Sequence, residues 1–355
     1  MLTIQQITDY LSENISDPVP KYIFVKEILK KNLSSPEYVN VYNDMVQTKW
    51  YHELAEDQWE NGTWGQLGIG YGNKEAKRKF SRGMALRRAR EMSLLKDDPM
   101  IAKCIMILEK YIRGEEQRPG RIEVHQDGGK GNRIWSNFAP AMDINMFDAD
   151  NPLVKPIQDS VVDILRTAFE SGSFDEEFFH QAEREYHTYC FAHPRSGNSP
   201  LILRGAKSME ESLQRKYLSY VWGITSAKEI DQNYPYLNKK HGLVKHPDHI
   251  FYMSAFLPIT KKVLEEKDFT VWLSLLELLS GFSLFGEFMK NDAYPHLLNE
   301  AERLINGDVS LPKPSSGHVK DSGHDTNGRY ADSWRDKSKR ITDMVLRIAR
   351  ILARC

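Results

Sequence analysis

Apolar residues recur at helical spacing along most of the chain, and few segments alternate with a period of two. The stretch from 334 to 353 is an example, with apolar residues three or four apart at Ile341, Val345, Ile348 and Leu352. This spacing puts apolar side chains on one face of an α-helix. The pattern therefore predicts a protein built almost wholly of helices, without sheets.

Prolines and short polar residues mark where several of these helices begin. Ser35 and Pro36, for instance, supply an N-cap and a first-turn proline. The predicted helices cover residues 22–33, 37–55, 84–94, 100–112, 138–147, 153–171, 201–219 and 334–353.

One part of this pattern repeats. Asp97-Asp98-Pro99 and Asp150-Asn151-Pro152 both follow an apolar helix end and precede an apolar helix start. With Ser34-Ser35-Pro36 as a third copy, the helical unit recurs every ~50 to 65 residues, which is typical of stacked helical hairpins. The chain has 355 residues, enough for about six such hairpins, which could close a ring or form a short superhelix.

Composition excludes several function classes. A formal net charge of -1 creates no global field for nucleic acid or an anionic membrane. No segment approaches the ~20 apolar residues of a membrane span, and Asp9 and Glu13 interrupt the first residues, unlike a signal peptide. The 3 cysteines fit a reducing compartment rather than a disulfide scaffold. We therefore expect a cytoplasmic protein with no nucleic-acid partner and no membrane span.

The most specific motif contains Gln58, Gly62 and Trp64, in the spacing Q-x3-G-x-W. It resembles the QW motif of squalene-hopene cyclases and the related repeats of protein prenyltransferase β subunits. A glutamine at a helix end can bind a neighbouring helix end, and a glycine permits a tight turn. A tryptophan can stack on the glutamine amide. We interpret the motif as a structural brace between hairpins.

The resemblance extends to bacterial prenyltransferase-like proteins through residues 22–64, the turn at 97–99 and Trp334-Arg335 before the closing helix. It implies a single all-α domain over residues 1–355, an α/α toroid of the terpenoid-cyclase type. It also implies a central apolar cavity for an isoprenoid-like small molecule. The polar loop 311–330 is expected to be mobile, either as a lid over that cavity or as a plain connector.

The segment Asp148-Ala149-Asp150-Asn151 resembles the D-x-D-D acid of class II terpene cyclases at three positions. The resemblance implies that Asp150 protonates an alkene or epoxide and that Asp148 supports it. Asp143 could complete an acidic cluster. Asn151 departs from the motif, where the family has aspartate. The alternative is a helix-start turn, because acidic residues and asparagine before a proline are good helix caps.

A candidate metal site lies at His187, Cys190 and His193, whose residue types and spacing of three can hold zinc. Prenyltransferase β subunits also bind zinc, which makes the hypothesis attractive. Their cysteine and histidine ligands lie far apart in sequence, whereas these residues are neighbours. The alternative is a packed helix end among aromatic residues, with one buried cysteine.

Two other functions fit the same fold. A cytoplasmic (α/α)6 carbohydrate hydrolase or lyase would use paired carboxylates and aromatic sugar platforms. A non-catalytic helical scaffold or binding protein would use its concave face.

Overall fold

The computed structural model describes residues 2–65, 80, 82–117, 133–171, 194, 198–226, 235–238, 242–245, 273, 276–291, 293–307 and 336–354. These residues are mostly helical, which confirms the all-α prediction at that level.

The described helices fall into two compact units of the chain. Unit 1 comprises Met1–Ile107 and Phe285–Cys355, and unit 2 comprises Leu108–Leu284. The prediction of one domain over residues 1–355 stays a prediction.

The elements that begin before Leu108 are α1 (Ile4–Asn14), α2 (Pro18–Ile23), a π-helical turn (Phe24–Ile28), α3 (Pro36–Val46), α4 (Lys49–Asp57), α5 (Arg82–Glu91) and α6 (Pro99–Arg113). Unit 2 continues with α7 (Arg133–Asn145), α8 (Lys155–Glu170), α9 (Asn198–Leu203), α10 (Glu211–Ser226), β1 (Pro235–Asn238) and β2 (Gly242–Lys245). The chain then returns to unit 1 with α11 (Phe285–Asn291), α12 (Ala293–Ile305) and α13 (Lys337–Leu352).

The core of unit 1 is organised around α13. Every residue of this helix from Thr342 to Leu352 is buried, so it is surrounded on all sides rather than lying on the surface. It contacts α1, the π-helical turn and α12. Near its start, Lys339 forms an ion pair of 2.5 Å with Asp17, which precedes α2. The last helix is therefore packed among the first elements of the chain.

The helix predicted over 37–55 is in fact two helices, α3 and α4. Thr48 separates them: its hydroxyl donates to the Met45 carbonyl at 2.7 Å and accepts from the Tyr51 amide at 3.4 Å. A threonine hydroxyl that satisfies a first-turn amide starts a new helix. The prediction was wrong about continuity because apolar spacing persists across the break.

The helix predicted over 201–219 is likewise divided, into α9 and α10. Gly205 stands between them with φ +75°, and a Cβ placed on it would lie 2.8 Å from the Cβ of Ala149. Both the left-handed backbone and the close approach favour glycine at this position.

The segment predicted as one α-helix over 22–33 changes its winding. After α2, the chain forms the π-helical turn, in which the Leu29 amide donates to the Phe24 carbonyl at 3.0 Å. A π turn widens the helix by one residue and redirects the side chains that follow. Lys30 then ends it with φ 49°.

The strands β1 and β2 form an antiparallel pair, with Tyr236 opposite Val244 and Leu237 opposite Leu243. This hairpin was not predicted, because strands of 4 residues are too short for a period of two to stand out. Among the described residues, no helix is long and apolar enough to cross a membrane.

Candidate functional site

Gln58, Gly62 and Trp64 form a brace at the end of α4. The Gln58 side-chain amide donates to the carbonyls of Gly62 and Met100, each at 2.8 Å. Met100 lies in the first turn of α6, so one side chain ties two helices together. Trp64 is 2% exposed, and its indole N–H donates to the Leu54 carbonyl at 2.9 Å. The tryptophan therefore contributes this backbone bond to the brace.

Gly62 permits the close packing of the brace. Its φ is +91°, and a Cβ on it would lie 2.8 Å from the backbone oxygen of Lys103 on α6. Real Cβ atoms do not approach a backbone oxygen so closely, so any side chain here would push the two segments apart.

The structure places Asp150 in solvent rather than in an apolar cavity. Its side chain is 73% exposed and lies 2.6 Å from the ammonium group of Lys207, which is 80% exposed. A strong acid for alkene protonation requires apolar surroundings that disfavour the charged carboxylate. Asp148 is half-buried, and its backbone carbonyl accepts from the Asn151 amide at 3.3 Å. The surroundings of Asp150 are not those that the proposed acid role requires.

Asn151 and Asp98 show what the repeated turn does. The Asn151 side-chain oxygen accepts from the Leu153 amide at 3.1 Å, and that of Asp98 accepts from the Met100 amide at 3.1 Å. Both residues bridge the following proline and satisfy an amide at the start of the next helical segment. The repeat seen in the sequence therefore reflects a shared helix-start turn.

The second contact of Asn151 explains why it is not aspartate. Its amide donates to a carboxylate oxygen of Glu109 at 2.8 Å. An aspartate at this position would place two carboxylates in contact, which is unfavourable when both are ionised. The departure from the D-x-D-D motif thus has a structural reason.

Asp98 has different hydrogen-bond partners from Asn151. Its second carboxylate oxygen accepts from the hydroxyls of Tyr42 and Tyr51, each at 3.1 Å. Burial raises the pKa of Asp98, and the hydrogen bonds that it accepts offset this only in part.

Asp143, on α7, is buried with 1% of its surface exposed, whereas Asp150 lies in solvent.

Asn145, also on α7, belongs to a hydrogen-bond network that the sequence did not suggest. Asn145 donates to the Leu201 carbonyl at 2.6 Å, and the Gln158 amide donates to the Asn145 oxygen at 2.9 Å. These two buried amides join α7 and α8 to α9 in the core of unit 2.

His187, Cys190 and His193 lie outside the described residues, as does the loop 311–330. In the described part of the chain, no group of three His, Cys, Asp or Glu side chains could hold a metal ion.

A charged cluster that sequence reasoning missed lies in unit 1. Its centre is the Glu27 carboxylate, on the π-helical turn. Arg350 binds it through two nitrogens at 2.9 and 2.7 Å, and Arg354 binds it at 2.7 Å. The Ser93 hydroxyl donates to the same carboxylate, and Lys26 donates to the Ser93 hydroxyl oxygen at 3.0 Å. We name these five residues the Glu27 cluster.

Opposing effects set the ionisation of this cluster. Burial by itself would raise the pKa of Glu27, but Arg350 and Arg354 hold it well below its usual range. Burial lowers the pKa of Lys26 to about 8, and the nearby Glu27 carboxylate opposes that shift. Glu27 is therefore ionised at neutral pH. Lys26, by contrast, loses its proton near pH 8.

Backbone geometry is unusual at the same place. Ser93 has φ 60° and Lys30 has φ 49°, and these are the non-glycine residues with positive φ in the described part of the chain. Lys30 donates to the Ala353 carbonyl at 3.5 Å, next to Arg354. Left-handed backbone and π turns are both enriched at functional sites. They occur together here, and the Glu27 cluster is the second candidate site.

Comparison with protein-family models, curated proteins and solved structures finds no match for this chain.

Proposed function

We propose that this chain forms a ring of helical hairpins of the terpenoid-cyclase type and binds an apolar, isoprenoid-like small molecule. The observation that carries the proposal is the brace of Gln58, which ties α4 to α6 through the carbonyls of Gly62 and Met100, each at 2.8 Å. This is the structural role that the resemblance implies for such a glutamine. The ligand class comes from the resemblance, since fold alone does not fix function.

The proposal does not assign acid-initiated cyclisation to Asp150. Its exposed carboxylate is paired with Lys207 and lacks the apolar surroundings that such an acid needs. Ligand binding is thus proposed without a catalytic role for Asp148 or Asp150. We expect Asp150→Asn to leave ligand retention and any turnover unchanged.

Native mass spectrometry of the purified full chain tests the proposal. A bound apolar molecule should appear as a mass excess that organic extraction removes, and adding farnesol back to the extracted protein should raise Tm. An extracted protein whose Tm does not respond to farnesol, geranylgeraniol or their diphosphates would contradict the proposal. Elemental analysis of the same sample tests zinc, which should disappear in Cys190→Ala if His187, Cys190 and His193 bind it.

A second candidate function is a non-catalytic helical scaffold. One observation favours it: in the segment that resembles a catalytic acid, Asn151 bonds the Leu153 amide and Glu109, a structural role. A scaffold should purify with neither metal nor small molecule and should form a stoichiometric complex with another protein.

The alternative of a carbohydrate hydrolase or lyase predicts activity on oligosaccharides and none on prenyl diphosphates.

A further inference from the structure

We propose that Ser93 is a nucleophile for acyl transfer, with Lys26 as its general base and Glu27 as the residue that positions its hydroxyl. The site would act on small esters or thioesters. This inference does not depend on the proposed ring or on its apolar ligand.

The backbone of Ser93 gives the first argument. α5 ends in a Schellman motif: the Leu94 amide donates to the Ala89 carbonyl at 3.0 Å and the Ser93 amide donates to the Arg90 carbonyl at 2.9 Å. The residue in the position of Ser93 is usually glycine, because the left-handed backbone strains residues with a Cβ. The strain at Ser93, with φ 60°, therefore calls for an explanation.

The contacts of Ser93 show what a glycine would lack. Its backbone carbonyl accepts from Lys26 and from the Tyr22 hydroxyl, the latter at 3.3 Å. A glycine would keep both of those bonds. What serine adds is the hydroxyl, which accepts from Lys26 and donates to Glu27. The strain thus serves to hold one hydroxyl between an amine and a carboxylate.

The geometry around Ser93 has the three parts of an activated nucleophile. The Lys26 Nζ lies 3.0 Å from the Ser93 Oγ, within reach of proton transfer. Glu27 accepts from the hydroxyl, and the two bonds from Arg350 at 2.9 and 2.7 Å fix the carboxylate. Lys26 also lies 5.5 Å from the centroid of the Tyr22 ring, which orients the ammonium group.

Protonation states decide which residue is the base. Glu27 is a poor base, because Arg350 and Arg354 hold its pKa well below the usual range. Burial lowers the pKa of Lys26 to about 8, so the neutral amine becomes populated in mildly alkaline solution. When Lys26 loses its proton, the Ser93 hydroxyl can turn its hydrogen from Glu27 toward the Lys26 Nζ, which then accepts that proton.

The chemical step then balances without a cofactor. The Ser93 oxygen attacks the acyl carbon while its proton passes to the neutral Lys26 amine. The bond to the alcohol or thiol leaving group breaks, and Lys26 returns the proton to that group. Water then hydrolyses the acyl ester on Ser93, so the hydroxyl is restored and a carboxylic acid leaves. Ser93 is 7% exposed, which favours a short acyl group.

The test is covalent labelling of the folded, full-length chain with a small dialkyl fluorophosphate. Its phosphorus reacts with the serine oxygen and releases fluoride. We expect one adduct by intact mass, and peptide mapping should place it on Ser93. The labelling rate should rise as the pH passes through about 8 and level off above it, because Lys26 must be neutral.

Several charged and titratable groups surround Lys26. Glu27 is its neighbour on the π-helical turn, Arg350 faces it from α13, and Arg354 faces it from just after that helix. The others are Tyr22 on α2, Tyr38 on α3, whose hydroxyl lies 3.1 Å from that of Tyr22, and Ser93 after α5. Burial raises the pKa of Tyr22 well above its usual value, so Tyr22 stays protonated near pH 8. The two arginines also stay protonated. Lys26 is therefore the group expected to titrate near pH 8.

Two variants separate a catalytic pair from a structural tie. Lys26→Arg keeps a cation that can donate to Ser93 but cannot give up a proton at this pH, so labelling should slow by about 100-fold. Ser93→Gly removes the hydroxyl and relieves the left-handed strain, so it should abolish the adduct while Tm changes by only a few degrees. Circular dichroism confirms that each variant is folded.

Three results would overturn the proposal. One is the absence of an adduct on Ser93 in the folded wild-type chain between pH 7 and 10. Another is labelling that Lys26→Arg leaves unchanged, and the third is a rate that keeps rising toward the ordinary pKa of lysine. Since the pH profile is measured on the unmodified protein, it tests the proposal even if a variant fails to fold.

Discussion

At the scale of single residues, Glu27 shows how burial changes the contribution of an ion pair to stability. Its side chain is 14% exposed and that of Arg350 is 6% exposed. Arg166 and Glu210 make a similar pair of two bonds, at 3.3 and 3.0 Å, but their side chains are 34% and 47% exposed. Solvent screens the second pair and hardly reaches the first.

Glu27→Gln should therefore destabilise the protein much more than Glu210→Gln. The first change removes a buried carboxylate that two arginines contact, and we expect a loss of about 3 kcal/mol in the free energy of unfolding. The second should lower it by less than about 1 kcal/mol. Urea denaturation of both variants measures the difference. Equal effects would show that the Glu27 cluster contributes little to stability.

The pH dependence of stability follows from the same residue. Because the folded pKa of Glu27 is far below its unfolded value of 4.5, the stabilisation is complete above pH 4.5. It is lost as the pH falls toward the folded pKa. We expect the wild-type unfolding free energy to fall below that pH more steeply than that of Glu27→Gln. Parallel slopes in the two proteins would assign the acid sensitivity to other carboxylates.

At the scale of helices, the brace depends on a glycine that allows two backbones to touch. Gly62 has φ +91° and faces the Lys103 carbonyl, whereas Gly307 has φ +75° and a Cβ placed on it would have nothing within 4 Å. The two glycines share a left-handed backbone and differ in the space around them. Comparing them separates backbone strain from close packing.

We expect Gly307→Ala to lower the free energy of unfolding by about 1 to 2 kcal/mol, from backbone strain alone. Gly62→Ala should lower it by roughly 1 to 3 kcal/mol more, because the new methyl group meets the α6 backbone. Thermal unfolding of both variants gives the two values. If Gly62→Ala lowers the free energy of unfolding no more than Gly307→Ala does, the α6 backbone can move away from residue 62 at little cost.

At the scale of the whole molecule, α13 connects the end of the chain to its beginning. Its residues from Thr342 to Leu352 are all buried, and it contacts α1 and the π-helical turn. A helix with no solvent-facing side cannot form its contacts until its neighbours are in place. Folding of unit 1 therefore depends on residues that are far apart in sequence.

A buried charge on α13 should disrupt unit 1. Ile348 is 0% exposed, and Ile348→Asp should lower the free energy of unfolding by more than about 4 kcal/mol. Lys337→Asp introduces the same residue at the exposed start of the helix, where an acid is tolerated. Circular dichroism during urea unfolding compares the two. Similar stabilities would show that α13 is not part of the core.

Particular residues show how far the sequence could predict the fold and the sites. The helix-start turns were predicted, because Asp98 and Asn151 act on amides two residues away. The brace was recognised from Gln58, Gly62 and Trp64, although its contact with Met100 could not be specified. The Glu27 cluster was missed, because Ser93 and Arg350 lie far from Glu27 in sequence. Its one local signal is a serine where the end of α5 would usually have glycine.

The sequence by itself determined what short-range physics controls: the helical periodicity, the caps and the proline turns. These depend on bonds between residues a few positions apart, so they can be read locally. Only the tertiary structure decided the environment of each charged group. It placed Asp150 in solvent and Glu27 between two arginines, because burial and ion pairing depend on which distant segments meet.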